Sequence, residues 1–426
     1  MATPTPIPVL PYAPARVDRT YAWLVVGMLW FVCLFNYADR QAIFSVFPLI
    51  QSRFNLSIVQ LGLIGSSFMW VYAAAGPLAG LVGDRVSRKT LILGGLVFWS
   101  LITLATAFST RYSHLILFRA LEGLGEAFYF PASMSLISDY HGPKTRSRAM
   151  AIHQSSVYAG TILGGSAAGI LGQYFGWKSG FYVFGIAGVV LALLLTYTLR
   201  EVPRGQDESE AIEPEPVQSE DVFASLFAFF TNPLAMLLMA IFIGANFVAV
   251  VFLTWMPMYL RTSFGLSLAA AGVTATLWMQ MMSMIGVICG GIFADELSKK
   301  LRGGRMLTQA AGLLLGFPFI ALAGLTHSVP VLIVAMCCFG LFKGLYDSNI
   351  WASLYNVVPL KNRAVSVGLM NALGWLGGGV APLAMAYGAN HYGMGPSISA
   401  TSLIYLVLAL AMGAAALSLS RHGKGF

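Results

Sequence analysis

Arg119, Glu122 and Glu126 lie within one apolar run at spacings of i, i+3 and i+7, which on a helix puts all three on one face. Asp39 and Arg40 stand inside a second apolar run. Lys343 and Asp347, four residues apart, stand inside a third. Ionisable side chains at membrane depth are costly to keep, so they mark a path for substrate or protons. Arginine stays charged and forks bidentately onto carboxylates. Arg40 is therefore suited to clamp a substrate carboxylate, or to lock two helices through an ion pair. Consecutive helical residues point about 100° apart, so Asp39 and Arg40 have different partners. Glu126, near the middle of its run, has the chemistry of a proton carrier that loads and releases as a cavity alternates between membrane faces. Asp39 is the second candidate, and the competing role for either is a hydrogen-bonded structural carboxylate. Arg119 and Glu122 read as a supporting or gating pair, with Arg119 toward the outer mouth. Lys343 either pairs with Asp347 or offers an anionic substrate a second positive group.

Other polar and aromatic residues in apolar runs supply candidate pocket walls. These are Tyr37, Gln154 and Tyr158 early in the chain, and Asn246, Asn349, Asn371 and Trp375 later. The same residue types also serve helix packing and interhelical hydrogen bonding. His153 opens its helix close to a loop, which suits a structural role. Cys33, Cys289, Cys337 and Cys338 all fall within apolar runs without metal-ligand spacing, so they read as small apolar residues. No metal site and no cofactor is expected. The patterns HExxH, GxSxG and GxxxxGK[ST] do not occur, which disfavours a membrane-embedded enzyme and an ATP-driven pump.

The elements that position these residues follow from hydropathy. Only 10% of the 426 residues are charged and 57% are hydrophobic, against about 25% charge in soluble domains. Twelve stretches are long and apolar enough to read as spans. They lie near 21–49, 58–82, 90–109, 112–138, 147–173, 177–199, 225–260, 267–296, 304–326, 328–357, 364–390 and 396–420. The seventh is too long for one span, and Asn232 with Pro233 is placed to divide an interfacial helix from the membrane helix. With the N-terminus in the cytoplasm, eighteen of the 25 Lys and Arg residues fall on the cytoplasmic side, four outside and three within spans. That positive-inside bias places both termini in the cytoplasm. The net charge of +8 is scattered over short loops, which argues against a nucleic-acid partner.

Residues 1–20 form a proline-rich tail that lacks the basic start and short apolar core of a signal peptide. Residues 200–221 are acidic with three prolines and read as a flexible cytoplasmic linker. The linker divides a bundle over 21–199 from one over 222–420, with a short cytoplasmic tail at 421–426. An internal repeat supports the division. Gly80, Asp84, Ser87, Arg88 and Lys89 recur as Gly291, Asp295, Ser298, Lys299 and Lys300 at a constant offset of 211. The segment from Glu122 to Glu126 is echoed by that from Lys343 to Asp347. Parallel repeats with a site at their interface are a transporter architecture. Glycines at 160, 164, 165 and 169, and again at 374, 377, 378 and 379 before Pro382, permit close helix approach.

These residues resemble the major facilitator superfamily over nearly the whole chain. The segment Gly80–Lys89 looks like that family's loop signature between its second and third helices, with Ser87 where glycine is usual. Arg119, Gly123 and Gly125 are similar to its fourth-helix motif. The resemblance implies an all-α fold of twelve transmembrane helices in two six-helix, pseudo-symmetric bundles. It also implies that Asp84, Arg85 and Arg88, with Asp295 in the echo, act as a cytoplasmic latch; basic loops that only set orientation are the alternative. Within the superfamily, Asn36, Tyr37, Asp39 and Arg40, and Gly125 with Glu126 and Ala127, resemble the anion:cation symporters and also the Spinster-like lipid transporters. Pro48, Ser57 and Gln60 lean toward the former, and Gly83 to Arg85 with Phe98 to Ser100 toward the latter. The favoured reading is a proton-coupled symporter of a small organic anion, such as a sugar acid, in the inner or plasma membrane. Arg40 would bind substrate, and Glu126 and Asp39 would carry protons. Lysolipid or lipid transport on the same fold is the alternative. The expected partners are the anion, protons and the lipid bilayer, with no evident oligomerisation signal.

Overall fold

The computed structural model describes residues 18–83, 85–142, 144–202, 222–359 and 362–421. Among them the chain is helical almost throughout, in seventeen segments. The first half (residues 18–202) holds α1 (Arg19–Ser45), α2 (Phe47–Phe54), α3 (Ile58–Gly83), α4 (Arg88–Thr106), α5 (Tyr112–Glu126), α6 (Tyr129–Tyr140), α7 (Arg146–Phe175) and α8 (Ser179–Thr198). The second half (residues 222–421) holds α9 (Val222–Thr231), α10 (Pro233–Ser263), α11 (Leu268–Lys300), α12 (Gly304–Leu325), α13 (Val329–Asp347), α14 (Ile350–Val357), α15 (Arg363–Tyr392), α16 (Met394–Ala400) and α17 (Ser402–Arg421). Ten stretches among these are long and apolar enough to cross a membrane. The fourth and fifth runs of the sequence are not among the ten. The fourth carries Arg119, Glu122 and Glu126, and the fifth is rich in glycine, serine and alanine. Large apolar side chains such as Leu193, Phe293 and Leu410 point outward, as a lipid-solvated protein requires.

Several runs read as single spans are broken. Pro48 and Pro131 explain two of the breaks. A proline ring removes one N–H and collides with the carbonyl four residues back. For Pro48 that carbonyl belongs to Phe44, beside the break at Val46. For Pro131 it belongs to Ala127, at the break between α5 and α6. The fourth and tenth runs break just after Glu126 and just after Asp347, so the echo seen in the sequence is also an echo in backbone. The Asn232–Pro233 division is found: the Asn232 side chain accepts from the amides of Leu234 and Ala235 as an N-cap, with Pro233 at the first helical position.

The halves meet at the end of the molecule remote from Arg19 and Arg421. There α3 packs on α15 and α7 on α11. A Cβ on Gly62 would stand 2.7 Å from the Pro382 carbonyl oxygen, so glycine is what lets α3 and α15 touch. Further along the same pair toward the termini, Gly76 and Gly368 have nothing within 4 Å. The two helices thus diverge like a wedge. One tie across the closed end has a direct physical cause. Pro257 lacks an N–H, which leaves the Leu253 carbonyl without its helical donor, and Gln41 Nε2 of the first half donates to it at 2.8 Å. Phe47 against Trp255, and Trp255 Nε1 donating to the Pro382 carbonyl at 3.1 Å, complete this seal.

Candidate functional site

Helices α1 and α5 bring Arg40 and Glu126 together across 86 residues of sequence. Arg40 Nη2 donates to Glu126 Oε2 at 2.7 Å and Nε donates to the same oxygen at 3.1 Å. Both side chains are buried. Arg40 Nη1 and Glu126 Oε1 have no hydrogen-bond partner, so each group keeps capacity for another ligand. The guanidinium is enclosed by four rings: Tyr37 at 4.5 Å, Phe68 at 4.8 Å, Tyr72 at 5.0 Å and Trp375 at 5.2 Å from its carbon to their centroids. Cation–π attraction at desolvated sites reaches about 2 kcal/mol. Trp375 comes from α15 of the second half and meets Tyr72 edge-on, so the box is closed from both sides of the wedge.

Beneath this pair lies a second. Arg119 Nη1 donates to Glu122 Oε2 at 2.6 Å, and Arg119 Nη2 reaches the Arg40 carbonyl at 3.5 Å. Phe68 sits between the two guanidiniums, 4.5 Å from that of Arg119. Arg119, expected toward the outer mouth, is fully buried. The expected supporting pair with Glu122 is present and packs against the backbone of Arg40. Asp39 is also fully buried, and neither of its oxygens has a hydrogen-bond partner. Its charged neighbours are Glu122, Glu126 and Arg119, with Thr103 close by. Asp39 and Arg40 therefore do not share a partner, but the expectation of a separate one for each is met only by Arg40, which pairs with Glu126. The cluster holds two guanidiniums against three carboxylates.

The second half contributes less charge. Lys343 and Asp347 form an ion pair along α13, and both are partly accessible. Tyr158 of α7 lies in electrostatic range of both Asp347 and Tyr37. Asn246 and Asn371 are half-buried, and Asn246 flanks Gly374 on α15. Gln154 is exposed and touches none of the ion pairs. Asn349 is a structural tie, its amide donating to the Gly290 carbonyl at 3.1 Å. His153, two turns into α7, is buried with Nε2 2.9 Å from the Tyr129 hydroxyl.

At the end carrying the termini, Arg88 pairs with Asp139 at 2.7 Å and lies 3.7 Å from Glu201. Glu201, assigned to the linker from sequence, accepts from the amides of Arg88 at 3.0 Å and Lys89 at 2.6 Å. The partners of Arg88 thus lie within its own half. Arg85 is exposed, and Asp84 lies outside the described residues. In the echo, Asp295 pairs with Arg305 at 3.2 Å. Sequence reasoning missed Phe68, Tyr72, Gln41, Asp139 and Glu201. The two aromatics carried no signal, because rings in an apolar run usually pack; Gln41, beside Arg40, was a polar outlier in its run.

Two related helical halves that close around a buried charged site make up a multi-pass integral membrane protein of the transporter class. Residues 29–382 match the model of the Major Facilitator Superfamily, and the chain belongs to that superfamily. It is 30% identical over 430 residues to a probable galactarate/D-glucarate transporter of Bacillus subtilis, covering 93% of each chain. It is 29% identical over 373 residues to a hexuronate transporter of the same species, covering 84% of this chain and 86% of the relative. Spinster homolog 1 of Mus musculus is 31% identical over 333 residues, 76% of this chain and 61% of that protein. A bacterial homolog of the human lysosomal transporter Spinster, solved inward-facing and unoccupied, superposes with a TM-score of 0.84 at 22% identity. That match covers 95% of this chain and 98% of the other.

Proposed function

We propose that the protein is a proton-coupled symporter carrying a small organic anion, a sugar acid or another carboxylate, by alternating access. The observation that carries this reading is the charge balance of the site. Glu126 is held on Arg40 through Oε2 alone, and Asp39 has no partner. A substrate carboxylate that takes Arg40 has to displace Glu126. Released as an anion, Glu126 would be a second unpaired charge in low dielectric, at a cost of several kcal/mol. Released with a proton, it carries no such penalty. Anion and proton therefore enter together, with Asp39 as the second proton carrier. Tyr37, Tyr158, Gln154, Asn246, Asn371, Trp375 and Lys343 form the walls of the cavity, and Arg119 with Glu122 holds Arg40 from behind.

In this reading the chain forms twelve spans, two six-helix bundles over 21–199 and 222–420, with both termini and the linker over 200–221 in the cytoplasm. The wedge then opens inward, and Asp84, Arg85, Arg88 and Asp295 belong to loops that meet when it closes there. In proteoliposomes, Glu126→Gln keeps substrate exchange and loses accumulation driven by a pH gradient; equal loss of both would show that Glu126 does not couple protons. The similarity to Spinster homologs keeps lysolipid transport as a second reading. Quenching of the Trp375 fluorescence separates the two, because sugar acids bind under the first and lysophospholipids under the second.

A further inference from the structure

Each half presents, at the end carrying the termini, a place between the start of its third long helix and the ends of the helices beside it. In the first half a carboxylate of the chain fills that place. Glu201 lies on the first amides of α4, with the Arg88 guanidinium against it and Ser87 capping the helix. In the second half the corresponding place, between α10, α12, α14 and α17, is a cavity of about 510 Å³ lined by Arg302, Arg305, Ser353, Asn356 and Ser418. Among the described residues no acidic one lines it. The N-cap of α12 is Gly303, which supplies no side-chain cap. Ser353 is 2% exposed and its hydroxyl has no partner. A buried hydroxyl left unpaired costs free energy that a ligand acceptor removes.

We propose that this cavity is a binding site for a phosphate group, supplied from outside the chain where Glu201 supplies the first half from within. The volume exceeds what one carboxylate fills. Two arginines, the Ser353 hydroxyl and the Asn356 side-chain amide offer more donors than two carboxylate oxygens accept, and the larger set of phosphate oxygens suits them better. The remaining lining includes Met306 and Leu419, apolar surface suited to the glycerol end of a phospholipid. A headgroup and free phosphate share this chemistry. Bound phosphate also competes with Asp295 for Arg305, which lie 3.2 Å apart, and so reaches the loop that echoes the family signature.

The test uses the purified full-length protein, with native mass spectrometry and thermal unfolding under titration by phosphatidylglycerol, diacylglycerol or inorganic phosphate. Saturable binding of phosphatidylglycerol or phosphate is expected, raising the unfolding temperature as a native-state ligand must. Arg305→Gln should weaken it at least tenfold and Ser353→Ala severalfold. Binding by the lipid alone assigns the site to a headgroup, by phosphate alone to a soluble source, and by both to the phosphate group itself. Arg302 is exposed, so Arg302→Gln leaves the fold intact and serves as a second variant, with the same direction of loss. The proposal is overturned if neither phosphate source saturates, if diacylglycerol, which has no phosphate, binds equally, or if the variants bind like the parent.

Discussion

In the first half, five ionisable side chains on α1 and α5 are buried in contact, and three of them are carboxylates. In the second half, the matching stretch of α13 places Lys343 and Asp347 in a single, partly accessible pair. The backbones around the two are alike, each helix breaking just after its last carboxylate. The difference lies in solvation. A buried pair that loses one member leaves an unpaired charge in low dielectric, whereas an accessible pair can exchange its partner for water. The first half is thereby built to make protonation and ligand binding depend on each other. The second half supplies a wall, with Trp375 closing the aromatic box over Arg40.

Substitutions can break this contrast. The largest effect is expected at Arg40. Arg40→Ala should abolish anion binding to purified protein, measured calorimetrically, while Lys343→Ala weakens it by tenfold or less; retained affinity in Arg40→Ala would end its role as clamp. Next comes stability. Arg119→Gln strands Glu122 in the interior and should cost about 3–5 kcal/mol, against about 0–1 kcal/mol for Lys343→Gln. Unfolding temperatures in one detergent rank the two, and equal losses would erase the distinction between the halves. The smallest effect concerns the seal between them. Gln41→Leu leaves the Leu253 carbonyl without a donor, at about 1–3 kcal/mol. Distances between spin labels on α3 and α15 at the closed end should broaden, and an unchanged distribution would show that this bond does not hold the closed end together.

Much of the fold was legible before any coordinates. Asn232 and Pro233 announced a helix boundary through local capping chemistry, and the structure has it there. The repeat linking Glu122–Glu126 to Lys343–Asp347 survives as paired helix breaks. The breaks themselves were less legible, because Pro48 and Pro131 sit inside otherwise continuous apolar runs and their effect falls four residues upstream. For the site, the sequence isolated Asp39, Arg40, Arg119, Glu122 and Glu126 as charges out of place. It left open whether Arg40 locked two helices or served a ligand. The structure shows the lock and also the spare Nη1. Glu201 was read as linker because its neighbours are acidic and proline-rich, and only contact with the α4 amides separates it from them.

Membrane class, an all-helical fold and the short set of residues able to do chemistry can all be read from the amino acids without their packing. Those follow from hydropathy and from the cost of a charge in lipid, which are properties of each segment alone. The tertiary structure decided which charge faces which, that Asp39 has no partner, that Phe68 and Tyr72 join the site, and that the wedge closes at one end. Partner choice depends on the packing of helices far apart in sequence. Arg40 could have met any of three carboxylates, and helix approach at glycine contacts such as Gly62 on Pro382 leaves it against Glu126.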